Sequence, residues 1–249
     1  MSATEASPVP PVLCIRGLTA GYDAQPVLRE GSLQISIGEW CVVLGPNGSG
    51  KSTLLYAAAG LLPPRSGRIE LSGVPLDEAP AAKRMLGYGC APERLPGLLT
   101  GRQCLQVYAA AKGLQEIDRD VLDLAEVLAL RGQLDRYLDT YSLGMRQKLA
   151  VLLALVGAPR LIVLDEAFNG LDPASAAILK QRLRRLVDER RAAVLLATHA
   201  LEIAERYADR VVLLLEGQIR QVWGSAQLAA QRAAGKPLEE LLAAAASAP

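Results

Sequence analysis

Short apolar runs separated by glycine-bearing turns recur along this chain, and they predict strands. The runs at residues 41–44 and 161–164 are continuously apolar, which is typical of strands buried on both faces in a parallel sheet. Segments 27–37 and 68–73 alternate polar and apolar positions, which is typical of strands with one exposed face. Further strands are predicted at residues 12–15, 193–198, 211–215 and 218–222. The pattern therefore predicts a half-exposed antiparallel sheet beside a buried, mainly parallel one.

The periodicity becomes helical between residues 95 and 158, where we find no strand signal. Thr100 is a suitable N-cap for a helix that runs to Lys112, and another helix is predicted to begin after Ser142. Between them lies an apolar stripe at helical spacing, which Gly132 is expected to end. The stripe consists of Ile117, Val121, Leu124 and Leu128.

The order of these segments predicts a single domain, residues 1–249, with an insertion. We expect the α/β core in residues 12–94 and 158–224, and an all-helical subdomain in residues 95–157. A C-terminal tail, residues 225–249, follows the core. Further helices are predicted at residues 172–191 and 201–208. The strong apolar anchors of the tail, which we expect to pack on the core, are Leu238, Leu241 and Leu242.

Composition excludes several classes of protein. Hydrophobic residues make up 51% of the 249 residues, so wholesale disorder is excluded. The balance of 27 basic and 26 acidic residues gives no basic excess, which argues against nucleic acid as a partner. The longest apolar run, residues 149–158, is about half of the roughly 20 residues that a bilayer span needs. The four cysteines form no C-x-x-C pair, and Cys14 and Cys41 are predicted to be buried, reduced thiols, as is usual in the cytosol.

Residues 45–53 fit the phosphate-binding pattern G-x-x-x-x-G-K-[ST] between a predicted strand and a predicted helix. Backbone N–H groups of such a loop, together with the helix N-terminus, bind phosphate oxygens. Lys51 would supply a charge for the β- and γ-phosphates, and Ser52 an oxygen for Mg²⁺. A chance match is the alternative, and the strand–loop–helix context disfavours it. The candidate nucleotide-binding residues are Gly45, Asn47, Gly48, Ser49, Gly50, Lys51, Ser52 and Thr53.

Two acids, Asp165 and Glu166, end the apolar run 161–164. Ligands of parallel α/β sheets bind beyond the carboxyl ends of the strands, where the phosphate loop also lies. Asp165 could hold Mg²⁺, and Glu166 could polarise the water that attacks the γ-phosphate. The alternative is a pair of surface acids at a strand end.

His199 and Ser142 are the remaining candidates. His199 is the only histidine and follows the strand predicted at residues 193–198, where it could reach the γ-phosphate and orient Glu166. A lone histidine is more often structural. Ser142 opens an apolar helix, which makes it an N-cap under either interpretation, but the same geometry can form an anion site.

The ordered set of motifs resembles an ATP-binding subunit of an ATP-binding cassette (ABC) transporter. The segments that carry the resemblance are residues 45–53 (Walker A), 142–147 (signature), 161–166 (Walker B), 169–172 (D-loop) and Thr198-His199 (switch histidine). The resemblance covers residues 12–224. It implies a P-loop NTPase core of the RecA-like type, an antiparallel β subdomain and an inserted helical subdomain.

The resemblance also implies roles for individual residues. Tyr22 would stack on adenine, and Asp172 and Gly144 would contribute to nucleotide binding. Residues 87–93 resemble the Q-loop, with Glu93 in place of the usual glutamine and therefore a candidate metal ligand. Lys51, Glu166 and His199 would be the catalytic residues, with ATP and Mg²⁺ as cofactors.

The partners implied are a second copy of the chain in a head-to-tail dimer and a separate membrane permease, with no nucleic acid. Each ATP would lie between the Walker A of one subunit and the signature of the other. The protein would be cytoplasmic and attached to the inner face of the membrane through the permease. Export is favoured because a glutamate in the Q-loop resembles single-cassette exporters.

Two departures from the family pattern concern the signature and the Q-loop. The signature LSGGQ is replaced by residues 141–145, which keep Ser142 and Gly144 but lose a glycine and the glutamine. Glu93 adds a negative charge beside the expected phosphates.

Two other functions remain as alternatives. One is a non-transport ABC ATPase acting on nucleic acid or the ribosome, which the absence of a long insert and of basic runs disfavours. The other is a degenerate cassette without turnover, which the presence of Lys51, Asp165, Glu166 and His199 disfavours.

Overall fold

The computed structural model describes residues 11–22, 25–77 and 80–247. The strands in these ranges are β1 (Leu13–Ala20), β2 (Leu28–Ile35), β3 (Trp40–Leu44), β4 (Ser66–Leu71), β5 (Val74–Pro75), β6 (Leu86–Gly89), β7 (Leu161–Asp165), β8 (Ala193–Ala197), β9 (Arg210–Leu215) and β10 (Gln218–Trp223). The helices are α1 (Lys51–Ala58), α2 (Pro80–Arg84), α3 (Gly101–Ala111), α4 (Arg119–Val127), α5 (Leu143–Leu155), α6 (Pro173–Asp188), α7 (Leu201–Tyr207), α8 (Ser225–Ala233) and α9 (Leu238–Ser247).

The central sheet has the strand order β10-β9-β3-β8-β7-β6. Strands β9, β3, β8, β7 and β6 are parallel, and β10 pairs antiparallel with β9. All residues of β3 and β8 are buried, as their continuous apolar runs predict. The prediction of an α/β fold with a mainly parallel sheet is therefore confirmed.

The central sheet separates two hydrophobic clusters because successive strand side chains point to opposite faces. In β3, Val42 and Leu44 pack into one cluster, while Cys41 and Val43 pack into the other. The first cluster includes the helices between residues 101 and 155, and the second includes α1 and the antiparallel sheet. Burial raises the pKa of the Cys41 thiol, which is consistent with a reduced, inert cysteine.

The second sheet is antiparallel, with the order β2-β1-β4-β5. Strand β1 is longer than predicted because it continues through Gly17, whose φ of +57° accommodates a register shift. Strand β2 is shorter than the predicted segment 27–37 and ends at Ile35. Its last residues alternate in burial as expected, with Leu33 and Ile35 buried and Gln34 exposed.

The segment between β6 and β7 contains helices α3, α4 and α5. Helix α3 begins as predicted, with Thr100 as the N-cap and Gln103 returning the hydrogen bond to the Thr100 N–H. The expectation that Gly132 ends the next helix is wrong. Helix α4 stops at Val127, and the chain turns at Ala129, which has a φ of +54°.

No predicted strand or helix corresponds to β5, α2, β6, α8 or α9. Strand β6 is short and contains Gly87 and Gly89, which lower its strand propensity. A Cβ on Gly87 would overlap the carbonyl oxygen of Ala154, so helix α5 packs directly against the strand backbone. Strand β6 forms the edge of the central sheet and leads into the segment that contains Glu93.

The tail packs on the core, as expected. Leu238 is only 3% exposed, and Leu241 and Leu242 pack partly buried against the same cluster. The Leu238 N–H also donates to the carboxylate of Glu205 at 2.9 Å. Within the described ranges, no helix has both the length and the apolar character that crossing a bilayer requires.

Candidate functional site

The phosphate loop connects β3 to α1 at the carboxyl end of the central sheet. Gly50 has a φ of +102° and is the N-cap of α1, a conformation that other residues rarely adopt. Gly45 has no room for a side chain, because a Cβ there would overlap the Leu214 carbonyl oxygen. These two glycines let the loop fold tightly over the start of the helix.

Lys51 is the first residue of α1 and is only 8% exposed. Its ammonium donates to the carbonyl oxygens of Gly45 at 2.8 Å and Pro46 at 3.1 Å. The Lys51 charge is therefore held inside the curve of the loop, where the backbone N–H groups of a phosphate-binding loop also converge.

A cleft of about 250 Å³ lies beside this loop. Its lining brings the loop together with the two acids that follow the buried run 161–164. The lining residues are Val27, Asn47, Gly48, Gly50, Lys51, Ser52, Thr53, Asp165 and Glu166.

Asp165 is the last residue of β7 and faces the start of α1. The Ser52 hydroxyl hydrogen-bonds its carboxylate. Burial is the largest influence on the pKa of Asp165 and raises it, while the hydrogen bond from Ser52 acts in the opposite direction. The two side chains place adjacent hard oxygen atoms at the cleft.

Glu166 follows β7 in a left-handed conformation, with a φ of +47°. Its N–H donates to the Ala197 carbonyl oxygen at 2.9 Å, which anchors this unusual turn to the neighbouring strand. One carboxylate oxygen, Oε1, lies 3.1 Å from His199 Nδ1. The other, Oε2, accepts from the Thr198 hydroxyl and from the Asn169 amide, each at 3.2 Å.

The pairing of β7 with β8 explains why Glu166 meets His199. Asp165 is level with Ala197 in the parallel register, so the residues that follow each strand emerge side by side. Glu166 is thus oriented by neighbours from its own loop and from the loop after β8. Thr198 and Asn169 belong to motifs identified in the sequence, where no signal links either of them to Glu166.

Ser142 is the N-cap of α5, and its hydroxyl accepts from the Met145 N–H at 3.3 Å. Neither Ser142 nor Gly144 lines the cleft of its own chain. Leu143 between them is 55% exposed, although it is apolar. This helix start lies next to the 169–172 segment, since a Cβ on Gly144 would be 3.1 Å from the Gly170 carbonyl oxygen.

Asp172 is the N-cap of α6. Its carboxylate accepts from the Ser175 N–H at 2.8 Å and the Ser175 hydroxyl at 2.6 Å, and Lys148 lies 3.3 Å away. These interactions, chiefly those with Ser175, lower the pKa of Asp172 to about 2. Its side chain does not line the cleft, so its role in nucleotide binding stays a prediction.

Tyr22 is half-exposed in the loop after β1. The Val27 N–H closes this loop by donating to the Ala20 carbonyl oxygen at 2.9 Å. Because Val27 lines the cleft, the loop that carries Tyr22 ends at this cleft. Val27 itself was missed in the sequence, where it had no motif to mark it.

Glu93 lies in a short 3-10 turn (Pro92–Arg94) and is exposed. It does not line the cleft, so its role as a metal ligand stays a prediction. The neighbouring Arg94 is the residue of this turn whose charge acts on the pKa of Asp165. The sequence interpretation assigned the negative charge of Glu93 to the site and overlooked the positive charge of Arg94.

A mainly parallel sheet with a glycine-rich phosphate loop after β3 and acids after β7 defines a P-loop nucleotide-binding fold. The family described as "ABC transporter" matches residues 28–169, which is more than half of the chain. The chain therefore belongs to the ATP-binding proteins of the ABC transporter family. The cassettes of this family bind ATP and are ATPases.

Relatives with different described directions of transport match this chain. It is 36% identical over 214 residues to "Uncharacterized ABC transporter ATP-binding protein YdbJ" of Bacillus subtilis, covering 84% of this chain and 68% of that one. It is 35% identical to "Phosphonates import ATP-binding protein PhnC" of Hyphomonas neptunium, covering 84% and 85%. It is 34% identical to "Nod factor export ATP-binding protein I" of Rhizobium meliloti, covering 82% and 62%.

Solved structures share the fold. An "ATP binding subunit of ABC transporter" superposes with a TM-score of 0.81 at 31% identity, over 95% of this chain and 100% of that one. A dimeric ATP-binding cassette, MJ0796, bound to ADP and Pi in a post-hydrolysis state, has a TM-score of 0.77 at 22% identity, over 86% and 98%. At that identity the second likeness shows the fold alone.

Proposed function

We propose that this chain is the ATP-hydrolysing subunit of a transporter and that it drives a separate membrane permease. The observation that carries the proposal is the placement of Glu166. Its carboxylate is held against His199 and Thr198 at the edge of the cleft that contains Lys51. This is the arrangement expected of a base that activates water next to a bound γ-phosphate.

In this proposal the loop 45–53 holds the phosphates of ATP through its backbone N–H groups. Lys51 turns its ammonium from the Gly45 and Pro46 carbonyls to the β- and γ-phosphates, which are stronger acceptors because they are charged. Tyr22 stacks on adenine from the loop that ends at Val27. The other loop residues that line the cleft are Asn47, Gly48, Gly50, Ser52 and Thr53.

The oxygen donors present fit Mg²⁺, which prefers oxygen ligands and keeps several waters. The Ser52 hydroxyl and the Asp165 carboxylate are adjacent and would hold it. In the described residues no cluster of three or more His, Cys, Asp or Glu side chains could hold a metal by itself. Such a site suits a cation that the phosphates help to bind, and its charge would offset that of the phosphates.

Glu166 accepts the proton of the attacking water in the proposed reaction. His199 and Thr198 fix the direction of the Glu166 carboxylate, one on each oxygen, so the base is positioned before ATP arrives. Glu166 has a left-handed backbone conformation, and its side chain lines the cleft.

We propose further that the site is completed by a second copy of this chain. Ser142 and Gly144 form a helix start that can bind an anion, yet they do not line the cleft of their own chain. The apolar Leu143 is 55% exposed at this point and would be covered in a dimer. A head-to-tail pairing would place this helix start over the phosphate loop of the partner.

The permease is proposed to dock in a groove between the α/β core and the helical segment. The groove has a volume of about 280 Å³ and is lined mostly by apolar residues, among them Tyr88, Leu99 and Val107. Leu61, Val107 and Leu98 near it are 57%, 57% and 85% exposed. Docking there would hold the protein on the cytoplasmic face of the membrane.

We propose export as the direction, from the resemblance of the Glu93 segment to single-cassette exporters. The similarity to a protein described as a Nod factor exporter supports it, and the similarity to a phosphonate importer opposes it. Inside-out vesicles that contain the complex decide between them. If the complex exports, ATP added outside should drive its transported solute into these vesicles. No uptake by vesicles that hydrolyse ATP would contradict export.

Phosphate release by the purified chain tests the enzymatic part of the proposal. The wild type should release phosphate from ATP in Mg²⁺. Its rate per protein molecule should rise with protein concentration, because the proposed active form is a dimer. Lys51→Ala should abolish this release, while Lys236→Ala, at an exposed lysine of the tail, should leave it unchanged. Equal release by wild type and Lys51→Ala would mean that this site does not hydrolyse ATP.

A further inference from the structure

Arg94 stacks its guanidinium on the ring of Tyr56, with Cζ 4.9 Å from the ring centroid. Tyr56 in turn packs edge-on against Tyr88, with ring centroids 6.1 Å apart. In the described part of the chain we find no carboxylate within ion-pair distance of Arg94. Arg94 is thus a positioned cation whose charge no acid neutralises directly.

Both rings of the stack belong to elements that carry residues of the cleft or pair with one that does. Tyr56 is four residues after Ser52 on α1, so the two side chains lie on the same face of the helix, one turn apart. Tyr88 is level with Val163 in β7, two residues before Asp165. Tyr56, on which the guanidinium stacks, is therefore one helical turn from Ser52.

We propose that Arg94 supplies positive charge to the nucleotide cleft, and that Tyr56 is a positioning residue that holds Arg94 there. The proposal rests on the proposed function, because it concerns the same ATP site. The charge attracts the phosphates and favours binding of the nucleotide before the metal ion neutralises it.

Arg94 also lines the apolar groove, together with Leu61 and Val107. Contact of any partner with the groove would thus touch the residue that carries this charge. The simpler alternative is that Arg94 only covers the ring of Tyr56, in which case its charge would not matter to nucleotide binding.

Equilibrium binding of a fluorescent, ribose-labelled ATP, measured with excess EDTA and with Mg²⁺, distinguishes a role of the Arg94 charge from mere covering of the Tyr56 ring. Metal-free ATP carries more negative charge than its Mg²⁺ complex, so loss of a nearby cation should weaken its binding more. We expect Arg94→Gln to weaken binding on the order of 5-fold in EDTA and less than about 2-fold in Mg²⁺. Arg94→Lys should keep most of the affinity. Arg119→Gln removes the same charge from a side chain that is 93% exposed on α4, and it should change neither value.

Tyr56 provides a second test. Tyr56→Phe keeps the ring and should bind like the wild type, whereas Tyr56→Leu should reproduce the loss seen for Arg94→Gln. The double variant should be no weaker than Arg94→Gln alone if the ring acts by holding the guanidinium. Additive losses would overturn that part of the proposal.

The binding of ATP by the wild type distinguishes failure of the Arg94 proposal from failure of the proposed function. A wild type that binds no ATP under either condition would refute nucleotide binding itself. A wild type that binds, with Arg94→Gln unchanged or weakened equally in EDTA and Mg²⁺, would refute the role of the Arg94 charge alone.

Discussion

Glu166 Oε1 lies 3.1 Å from His199 Nδ1, although the two residues are 33 positions apart in the sequence. The parallel pairing of β7 with β8 produces this contact, because both residues follow strands that end at the same edge of the sheet. Thr198 and Asn169 hold the second oxygen of the same carboxylate. Contacts to both carboxylate oxygens therefore orient the proposed base, Glu166.

Replacing Glu166 by glutamine should stop hydrolysis without preventing ATP binding. Glutamine keeps the size of the side chain but cannot accept the proton of water, so we expect the turnover rate to fall about 10²- to 10⁴-fold. Single-turnover phosphate release and equilibrium ATP binding measure the two effects. Glu126→Gln, at an exposed glutamate of α4, is the matched control. Undiminished turnover by Glu166→Gln would remove Glu166 as the base.

His199→Ala should lower turnover less than Glu166→Gln, because Thr198 and Asn169 still hold one oxygen of the carboxylate. We expect kcat to fall about 10- to 100-fold with little change in KM. Thr198→Val should give a smaller loss of the same kind. If His199→Ala instead raises KM and leaves kcat intact, His199 binds ATP and does not position Glu166.

Asp165→Asn should stabilise the nucleotide-free protein near neutral pH. Burial raises the pKa of Asp165, so the folded state binds more protons than the unfolded state at pH values between the ordinary pKa of 3.8 and the raised value. The stability of the wild type therefore falls as pH rises through this window, and asparagine removes the effect. Thermal unfolding at about pH 7.5 should show a higher Tm for the variant, with the difference shrinking near about pH 4. A lower Tm at neutral pH would contradict this reasoning.

Lys112 should give a pH dependence in the alkaline range. Its ammonium, at the end of α3, donates to the carbonyl oxygens of Arg84 and Leu86, and burial lowers its pKa to about 8 from 10.5. Between these values the unfolded state binds more protons, so the free energy of unfolding should rise with pH. Lys112→Met should lack this rise, and the exposed control Lys236→Met should retain it. Urea unfolding at about pH 7.5 and about pH 10 measures both slopes, and equal slopes for wild type and Lys112→Met would contradict the assignment.

Much of the fold follows from local sequence signals. The buried strands β3, β7 and β8 are continuous apolar runs, and helix starts such as Thr100 and Ser142 have N-cap side chains. These features depend on neighbouring residues in the chain, so a pattern reveals them. Strand β6 gave no such signal, because its glycines are explained only by the helix that packs against them.

The sequence predicts the individual motifs of the site better than the side-chain contacts between them. The glycine-rich loop is recognisable from its spacing, and Asp165 and Glu166 from their position after an apolar run. The lining of the cleft includes both acids and most of the loop. The carboxylate of Asp172 is instead engaged by Ser175 and Lys148, a use that only the three-dimensional arrangement reveals. Arg94 was overlooked because its effect on Asp165 depends on the stack with Tyr56, which brings together α1 and the segment after β6.

In the proposed dimer, Ser142 of one chain completes the nucleotide site of another. Light scattering in saturating ATP and Mg²⁺, with Glu166→Gln to block hydrolysis, tests it most directly. Glu166→Gln should shift from monomer to dimer mass when ATP is added. The double variant that combines Glu166→Gln with Ser142→Arg should stay monomeric while it still binds ATP, because the bulky charged side chain fills the proposed contact. A Glu166→Gln protein that stays monomeric in ATP, or a Ser142→Arg double variant that dimerises as well as its parent, would contradict the account.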